Sequence, residues 1–276
     1  MKTVVILTQP RSGSSLLAGI LERLGVWMGP EEDMIKGKHK NKYGSYENHA
    51  FLKLNHRILF RAKRLTFYWN RFSDDDGKVE EAVKYYEKDL VKLIHESERE
   101  LWGFKEAVII YSLPYFHHHL KNPYYIYLYR DPASVANSQR RAGKLKNWIP
   151  EIWTEFSYFK PRERFILAMR TLKGAFVKGF PYRNRKFLEK LTANAQERIE
   201  EFVKDKKHLK LDLSEIIEQP KETVKKLIDF LEISPTKEQI AAAIDFVKPE
   251  LITSQINNPN KQKTANRKIN SKETAT

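Results

Sequence analysis

Four short β-prone runs, "TVVIL" (Thr3 to Leu7), "WGFKEAVII" (Trp102 to Ile110), "YYIYLY" (Tyr124 to Tyr129) and "HLKLDL" (His208 to Leu213), are separated by long stretches of helical periodicity. That alternation constrains the fold more than any other feature, because parallel strands need crossovers of a dozen or more residues, usually helical ones. Val79, Val83, Tyr86, Leu90, Leu93 and Ile94 recur at helical spacing, as do Phe165, Ala168, Met169, Leu172 and Phe176, and later Val224, Leu227, Ile228 and Leu231. Each such face is expected to be buried. The expectation is an α/β domain with a central, mainly parallel sheet flanked by helices on both faces, binding ligands beyond the C-terminal strand ends. A length of 276 residues with 41% hydrophobic content suits one such core with insertions. No internal repeat or linker stands out. From Ile256 the chain turns polar and almost free of large apolar residues, so the expected organisation is a domain over 1–255 and a polar, basic tail over 256–276.

Charge and cysteine usage narrow the function classes. Fifty Lys plus Arg against thirty-five Asp plus Glu give a formal charge of +15, which points to anionic partners without choosing among phosphates, sulfates, nucleic acid and acidic membrane. With zero cysteines, a disulfide scaffold, a zinc-thiolate site and a thiol nucleophile are all excluded, and the expected compartment is the cytoplasm. The opening "MKTVVIL" does not read as a signal peptide, since its apolar run stops at Thr8, Gln9 and Pro10. No stretch approaches the length of apolar sequence that a membrane span needs.

The first β-prone run leads through "TQPRSGSS" into the helical pattern of Leu16, Leu17 and Ile20. Gly13 supplies backbone freedom, and Ser12, Ser14 and Ser15 add hydroxyls to the unpaired N–H groups of a helix start, an arrangement that cradles an anion. A serine-capped helix after a tight turn is the plainer reading of the same residues. Neither G-x-x-x-x-G-K-[ST] nor G-x-G-x-x-G is present, so the usual nucleotide loops are disfavoured. Here Arg11 stands before the glycine, where an ATP loop has a lysine after it.

A second element follows the third run: Arg130, Asp131 and Pro132, with Ser138 eight residues after the arginine. Asp131 can cap a helix starting at Pro132, leaving Arg130 at a strand end and Ser138 two turns into the helix. An arginine fork plus a hydroxyl suits a phosphate. A surface arginine paired with Asp131, beside a helical serine of no special role, is the alternative.

Together these two elements resemble the sulfotransferases that use 3'-phosphoadenosine 5'-phosphosulfate (PAPS). Their 5'-phosphosulfate loop reads P-[KR]-S-G-[ST]-[ST], matched by Pro10, Arg11, Ser12, Gly13, Ser14 and Ser15, and their R-D-P element carries a serine at the spacing of Ser138. "GSYENHAFLKLNHRIL" resembles a G-[YF]-x-E-N segment of bacterial and viral-type members, "WGFKEA" the G-x-K strand, and "LDLSEIIEQPKETVKKLIDFLEI" the late strand and helix near the adenine pocket. The resemblance covers about residues 3 to 252 and implies a P-loop nucleoside-kinase-like sulfotransferase fold, with PAPS as co-substrate, PAP as product and no metal requirement.

Sulfuryl transfer, by analogy with phosphoryl transfer, needs positioning, donors for charge on the leaving phosphate, and a base for the acceptor hydroxyl. Arg11 and the loop N–H groups are the candidates for leaving-group charge. Lys105 matches the family lysine on its strand, but Glu106 and Ala107 follow it, so the histidine of the small-molecule K-x-H subgroup is missing. The resemblance therefore makes Glu47 the candidate general base, with His49 and Glu106 in reserve; an exposed glutamate capping the helix of Phe51, Leu54 and Ile58 is the competing reading. The triplet His117, His118, His119 invites a metal reading, but consecutive residues diverge on a helix, so none is assigned. Two basic, aromatic stretches, Arg57 to Phe72 and Asn147 to Phe165, fit either an acceptor groove or helix packing. The expected activity is PAPS-dependent transfer to an acceptor hydroxyl, on a carbohydrate or lipid; a phosphotransferase and a basic nucleic-acid-binding protein are the alternatives.

Overall fold

The computed structural model describes residues 1–31, 46–63, 76–142, 156–178 and 184–248. All four β-prone runs are strands: β1 (Lys2–Leu7), β2 (Leu101–Lys105), β3 (Pro123–Tyr129) and β4 (His208–Asp212). They form one parallel sheet in the order β2-β1-β3-β4. Ile6 pairs with both Lys105 and Ile126, so the C-terminal ends of β2, β1 and β3 lie at the same end of the sheet.

Strand alternation divides the core in two. Val5, Leu7, Trp102, Phe104, Tyr125 and Tyr127 point to one face, whereas Val4, Ile6, Tyr124, Ile126 and Leu128 point to the other. The helices in chain order are α1 (Ser14–Arg23), α2 (His49–Arg61), α3 (Asp76–Tyr85), α4 (Glu87–Ser97), α5 (Pro132–Ala142), α6 (Pro161–Lys178), α7 (Arg185–Val203), α8 (Leu213–Glu218), α9 (Pro220–Leu231) and α10 (Lys237–Asp245). Apolar residues of α2, α3, α4 and α7 fill the first face, and those of α1, α8, α9 and α10 the second. Both faces of the sheet are covered, as the alternation of elements requires. The buried tyrosines of β3 show what that environment does to polar groups: burial pushes the Tyr125 and Tyr127 hydroxyls well above the usual phenol range.

Three local departures from the expected elements have physical causes. The run from Trp102 does not stay extended to Ile110; the strand ends at Lys105 because the Glu106 carboxylate accepts from the Val108 N–H at 3.1 Å and the Ile109 N–H bonds the Glu106 carbonyl, turning the chain into a 3-10 helix over Ile109–Tyr111. The periodic run through Val79 and Ile94 is two helices, interrupted at Tyr86. The third concerns α6, whose periodic face is exposed: Phe165, Met169 and Leu172 are 68%, 51% and 53% accessible. There the buried contact is Leu167, and Arg170 reaches the Phe60 carbonyl of α2 at 3.2 Å with its guanidinium over the Phe60 ring. The expected tail, 256–276, and parts of both aromatic stretches, 64–72 and 147–155, lie outside the described residues.

Candidate functional site

The turn after β1 is shaped by backbone geometry more than by serine capping. Gly13 is the N-cap of α1 at φ 92, with no side-chain cap hydrogen bond, so the serine-capped reading does not hold. Arg11 is also left-handed, at φ 71, a conformation that costs a non-glycine residue about 1–3 kcal/mol. Such strain persists only where neighbours hold it. Here the neighbour is the second element: Arg130 Nη1 donates to the Arg11 carbonyl at 2.6 Å, and Gln139 Nε2 donates to the Pro10 carbonyl at 3.1 Å. Thr8 Oγ1 adds a bond to the Leu128 carbonyl at 3.3 Å.

Arg130 leaves β3 as expected, and the helix after it starts as expected, with the Ser134 N–H donating to Asp131 Oδ2 at 2.8 Å. The side chains of Arg130 and Ser138 are buried, and the Arg130 carbonyl accepts from Gln196 Nε2 of α7 at 2.8 Å. Burial first, then the nearby guanidiniums of Arg141 and Arg11, lower the Arg130 pKa to about 10. Removing a cation from water beside other cations is unfavourable unless an anion joins them. Arg11 Nε is buried and has no hydrogen-bond partner among the described residues, and the Gln139 side-chain oxygen is in the same condition. This donor-rich, cation-rich hollow at the start of α1 fits a phosphate or sulfate group. Gly13 is required in it, since a Cβ there would lie 2.4 Å from Leu213 Cδ1 at the start of α8.

The other half of the site stands on β2 and α2. Asn48, not Glu47, caps α2, its Oδ1 accepting from the Ala50 and Phe51 N–H groups at 3.0 and 3.3 Å. Phe51 then stacks on Phe104 of β2, ring centroids 4.3 Å apart, which fixes the start of α2 over the end of that strand. In consequence the carboxylate of Glu47, 23% accessible, lies 3.2 Å from the ammonium of Lys105, only 3% accessible. Sequence reasoning named both residues and missed the pair. The reserve bases do other things. Glu106 is buried and accepts from Asn55 Nδ2 at 2.6 Å, and Asn55 Oδ1 in turn accepts from Ser112 Oγ at 2.5 Å, a buried network that shapes the chain after β2. His49 faces Tyr158, with Nε2 3.5 Å from the hydroxyl and the rings edge to face.

Sequence reasoning also missed Gln139 and Gln196, whose amides hold the backbone at Pro10 and Arg130, and Asn55, whose amide joins the Glu106 carboxylate to the Ser112 hydroxyl. Nothing in an amphipathic helix marks a glutamine for that work. Asn48 was findable, as an Asn directly before the apolar period of Phe51, Leu54 and Ile58. Of the two aromatic stretches, the described part of the first packs: the Arg57 and Arg61 guanidiniums lie over the Tyr86 and Tyr85 rings at 5.2 and 3.5 Å.

Among solved structures, similarity extends to the sulfotransferase domain from the curacin biosynthetic pathway, at 19% identity, covering 86% of this chain and 75% of that one, with TM-score 0.47. The sulfotransferase domain from the Synechococcus PCC 7002 olefin synthase is 18% identical over 95% and 82% of the two chains, TM-score 0.46. A sulfotransferase from Alicyclobacillus acidocaldarius is 14% identical over 91% and 88%, TM-score 0.44. A search of curated protein sequences gives no match. The sequence pattern of the sulfotransferase domain family, however, is matched from residue 1 to residue 275, and on that match over nearly its whole length the chain belongs to the sulfotransferase domain family.

Proposed function

We propose that the chain transfers a sulfuryl group from PAPS to an acceptor hydroxyl on a carbohydrate or lipid, in the cytoplasm. The observation that carries this reading is the junction of the two motif elements: Arg130 bonds the backbone of Arg11, while Arg11 Nε is buried without a partner among the described residues. One anion site at the start of α1 and a second cation beside it are what a nucleotide bearing phosphates at both the 5' and 3' positions requires.

When bound, PAPS supplies an activated sulfuryl group whose bond to the 5'-phosphate oxygen breaks as the acceptor oxygen bonds to sulfur. Arg11 and the first-turn N–H groups at Gly13, Ser14 and Ser15, with the Ser12 hydroxyl, hold the 5' end and meet the charge growing on the departing phosphate. Arg11 donates hydrogen bonds and does not act as an acid, because a guanidinium does not give up its proton. Arg130 and Ser138 take the 3'-phosphate. Glu47 receives the acceptor's proton, and Lys105, released from its ion pair as that carboxylate is neutralised, is placed to meet the sulfuryl oxygens. The carbohydrate or lipid preference rests on Glu106 and Ala107 following Lys105 where the small-molecule subgroup has its histidine.

Transfer of label from sulfur-labelled PAPS to a panel of glycan, lipid and phenolic acceptors tests the reading. Label should appear on a glycan or lipid hydroxyl. Phenol sulfation alone overturns the acceptor class, and no PAPS binding overturns the donor.

A further inference from the structure

The structure assigns a second feature that the transfer chemistry does not use. We propose that Glu87, His118 and His119 form a surface site for a borderline divalent transition cation such as Zn2+ or Ni2+. A carboxylate and two imidazoles are the donor set that such ions take, in preference to Mg2+ or Ca2+. One ligand atom from each of the three residues lies within 4.8 Å of the others, and His119 Nε2 is already 3.1 Å from Glu87 Oε1. Two ligands on a tetrahedral zinc with bonds of about 2.0–2.1 Å stand about 3.3 Å apart, so one edge is formed and the rest is within reach of a side-chain rotation.

The sequence argument against a metal was that consecutive histidines diverge. His118 and His119 do not diverge here: within the short 3-10 turn His117–His119 their rings lean together, with centroids 4.0 Å apart. His117 is turned inward against the Phe202 ring, where burial lowers its pKa, and so it stays out of the cluster. The backbone on each side is fixed by the core. Phe116 and Leu120 are buried on either side of the turn, and Leu90 and Ile94 anchor α4, at whose first position Glu87 stands. Lys121 bridges to Glu98 at 3.0 Å, tying the same two segments together a second time. His95 lies on the same hollow as Glu87 and His119 and can supply an outer partner; Lys88 and Lys92 line it as well, and their charge works against the ion, so binding rests on the inner-sphere ligands. Three protein ligands leave open positions for water or a donor from another molecule.

The test is Zn2+ titration by calorimetry into the metal-free, tag-free full chain, with Mg2+ as a control. One Zn2+ per chain with at least a thousandfold preference over Mg2+ is expected. The variants Glu87→Gln, His118→Ala and His119→Ala should each weaken Zn2+ at least tenfold, and the double histidine variant should abolish it. His95→Ala should change it less than threefold. All four positions lie off the two core clusters, and unchanged thermal melts without metal confirm that folding is intact. As a second readout, Co2+ should give the absorption of a histidine-carboxylate complex in the wild type and lose it in the double variant. Unaltered Zn2+ stoichiometry and affinity in the double variant overturn the proposal, as does wild-type protein that takes up no Zn2+.

Discussion

Glu47→Gln separates catalysis from structure, because Glu47 is not the cap of α2 and its ion pair among the described residues is with Lys105. At 3.2 Å from the Lys105 ammonium, and with an effective dielectric near 20, the gross attraction is about 5 kcal/mol. Most of that is offset by the cost of removing a nearly inaccessible ammonium from water, so the net worth of the pair is far smaller. A glutamine still offers a carbonyl oxygen to the ammonium, and the expected stability loss is about 2 kcal/mol. For a domain of this size that corresponds to a Tm drop of about 4–8 °C. Turnover should fall by about 10² to 10⁴, the usual worth of a positioned base, with PAPS affinity unchanged. Adding Lys105→Met to Glu47→Gln removes the buried ammonium and its desolvation cost, so stability should return toward the wild type while turnover stays low. The measurements are melting curves and single-turnover transfer with a fixed acceptor. A folded Glu47→Gln protein that keeps turnover within threefold of the wild type refutes the base assignment and transfers it to His49, the nearest remaining candidate at the start of α2. Loss of turnover that is fully recovered in the double variant would refute it too, since that recovery would mean that only the buried ammonium's changed environment mattered.

The remaining expectations concern the nucleotide. PAP at a hundredfold excess over its Kd should stabilise the fold by about 2.7 kcal/mol in thermal shift, and ATP much less; equal shifts from both sink the PAPS assignment. Arg130→Ala should weaken PAP by about 2–5 kcal/mol. Because Arg130 also bonds the Arg11 carbonyl, adenosine 5'-phosphosulfate should lose part of that too, so calorimetry with both ligands must show the larger loss for PAP. Ser138→Ala should cost PAP about 1 kcal/mol and adenosine 5'-phosphosulfate nothing. Gly13→Ala places a Cβ at φ 92 and 2.4 Å from Leu213, so it should destabilise the chain by more than the roughly 1–2 kcal/mol of a left-handed alanine; in a double-mutant cycle with Leu213→Ala, which carries its own cavity cost, the coupling should equal only the excess over that backbone cost.

Strand positions were legible because strands covered on both faces read as near-continuous apolar runs, as β1 and β3 do, while the half-exposed edge strand β4 alternates instead, and both patterns stand out against helical sequence. The element ends were less legible. The stop of β2 at Lys105 is decided by the Glu106 carboxylate turning back onto its own backbone, and no period reports that. The exposed face of α6 was misread for a different reason: periodicity identifies an apolar stripe but not which neighbour it meets, and here Leu167 is the buried residue and Arg170 takes the contact with α2. Lys105 and Glu47, 58 positions apart in sequence, were chosen separately from their motifs. Their pairing depends on the Phe51 and Phe104 stack, a core contact that carries no functional signature.

The two motif elements, after β1 and after β3, behave as one unit in space. Arg11 holds a left-handed backbone that its side chain does not favour, and both neighbouring carbonyls, Pro10 and Arg11, are engaged from the second element by Gln139 and Arg130. A strained turn fixed by bonds from another segment is preorganised: its backbone is held before any ligand arrives, so a ligand there would not bear the cost of ordering it. The same bonds make the elements interdependent. Arg130 cannot leave its place to follow a ligand without releasing Arg11, and Arg11 cannot turn without freeing a buried guanidinium whose pKa is already lowered to about 10. A substitution at either arginine therefore disturbs both subsites, and only the difference between ligands with and without the second phosphate isolates what each arginine reads.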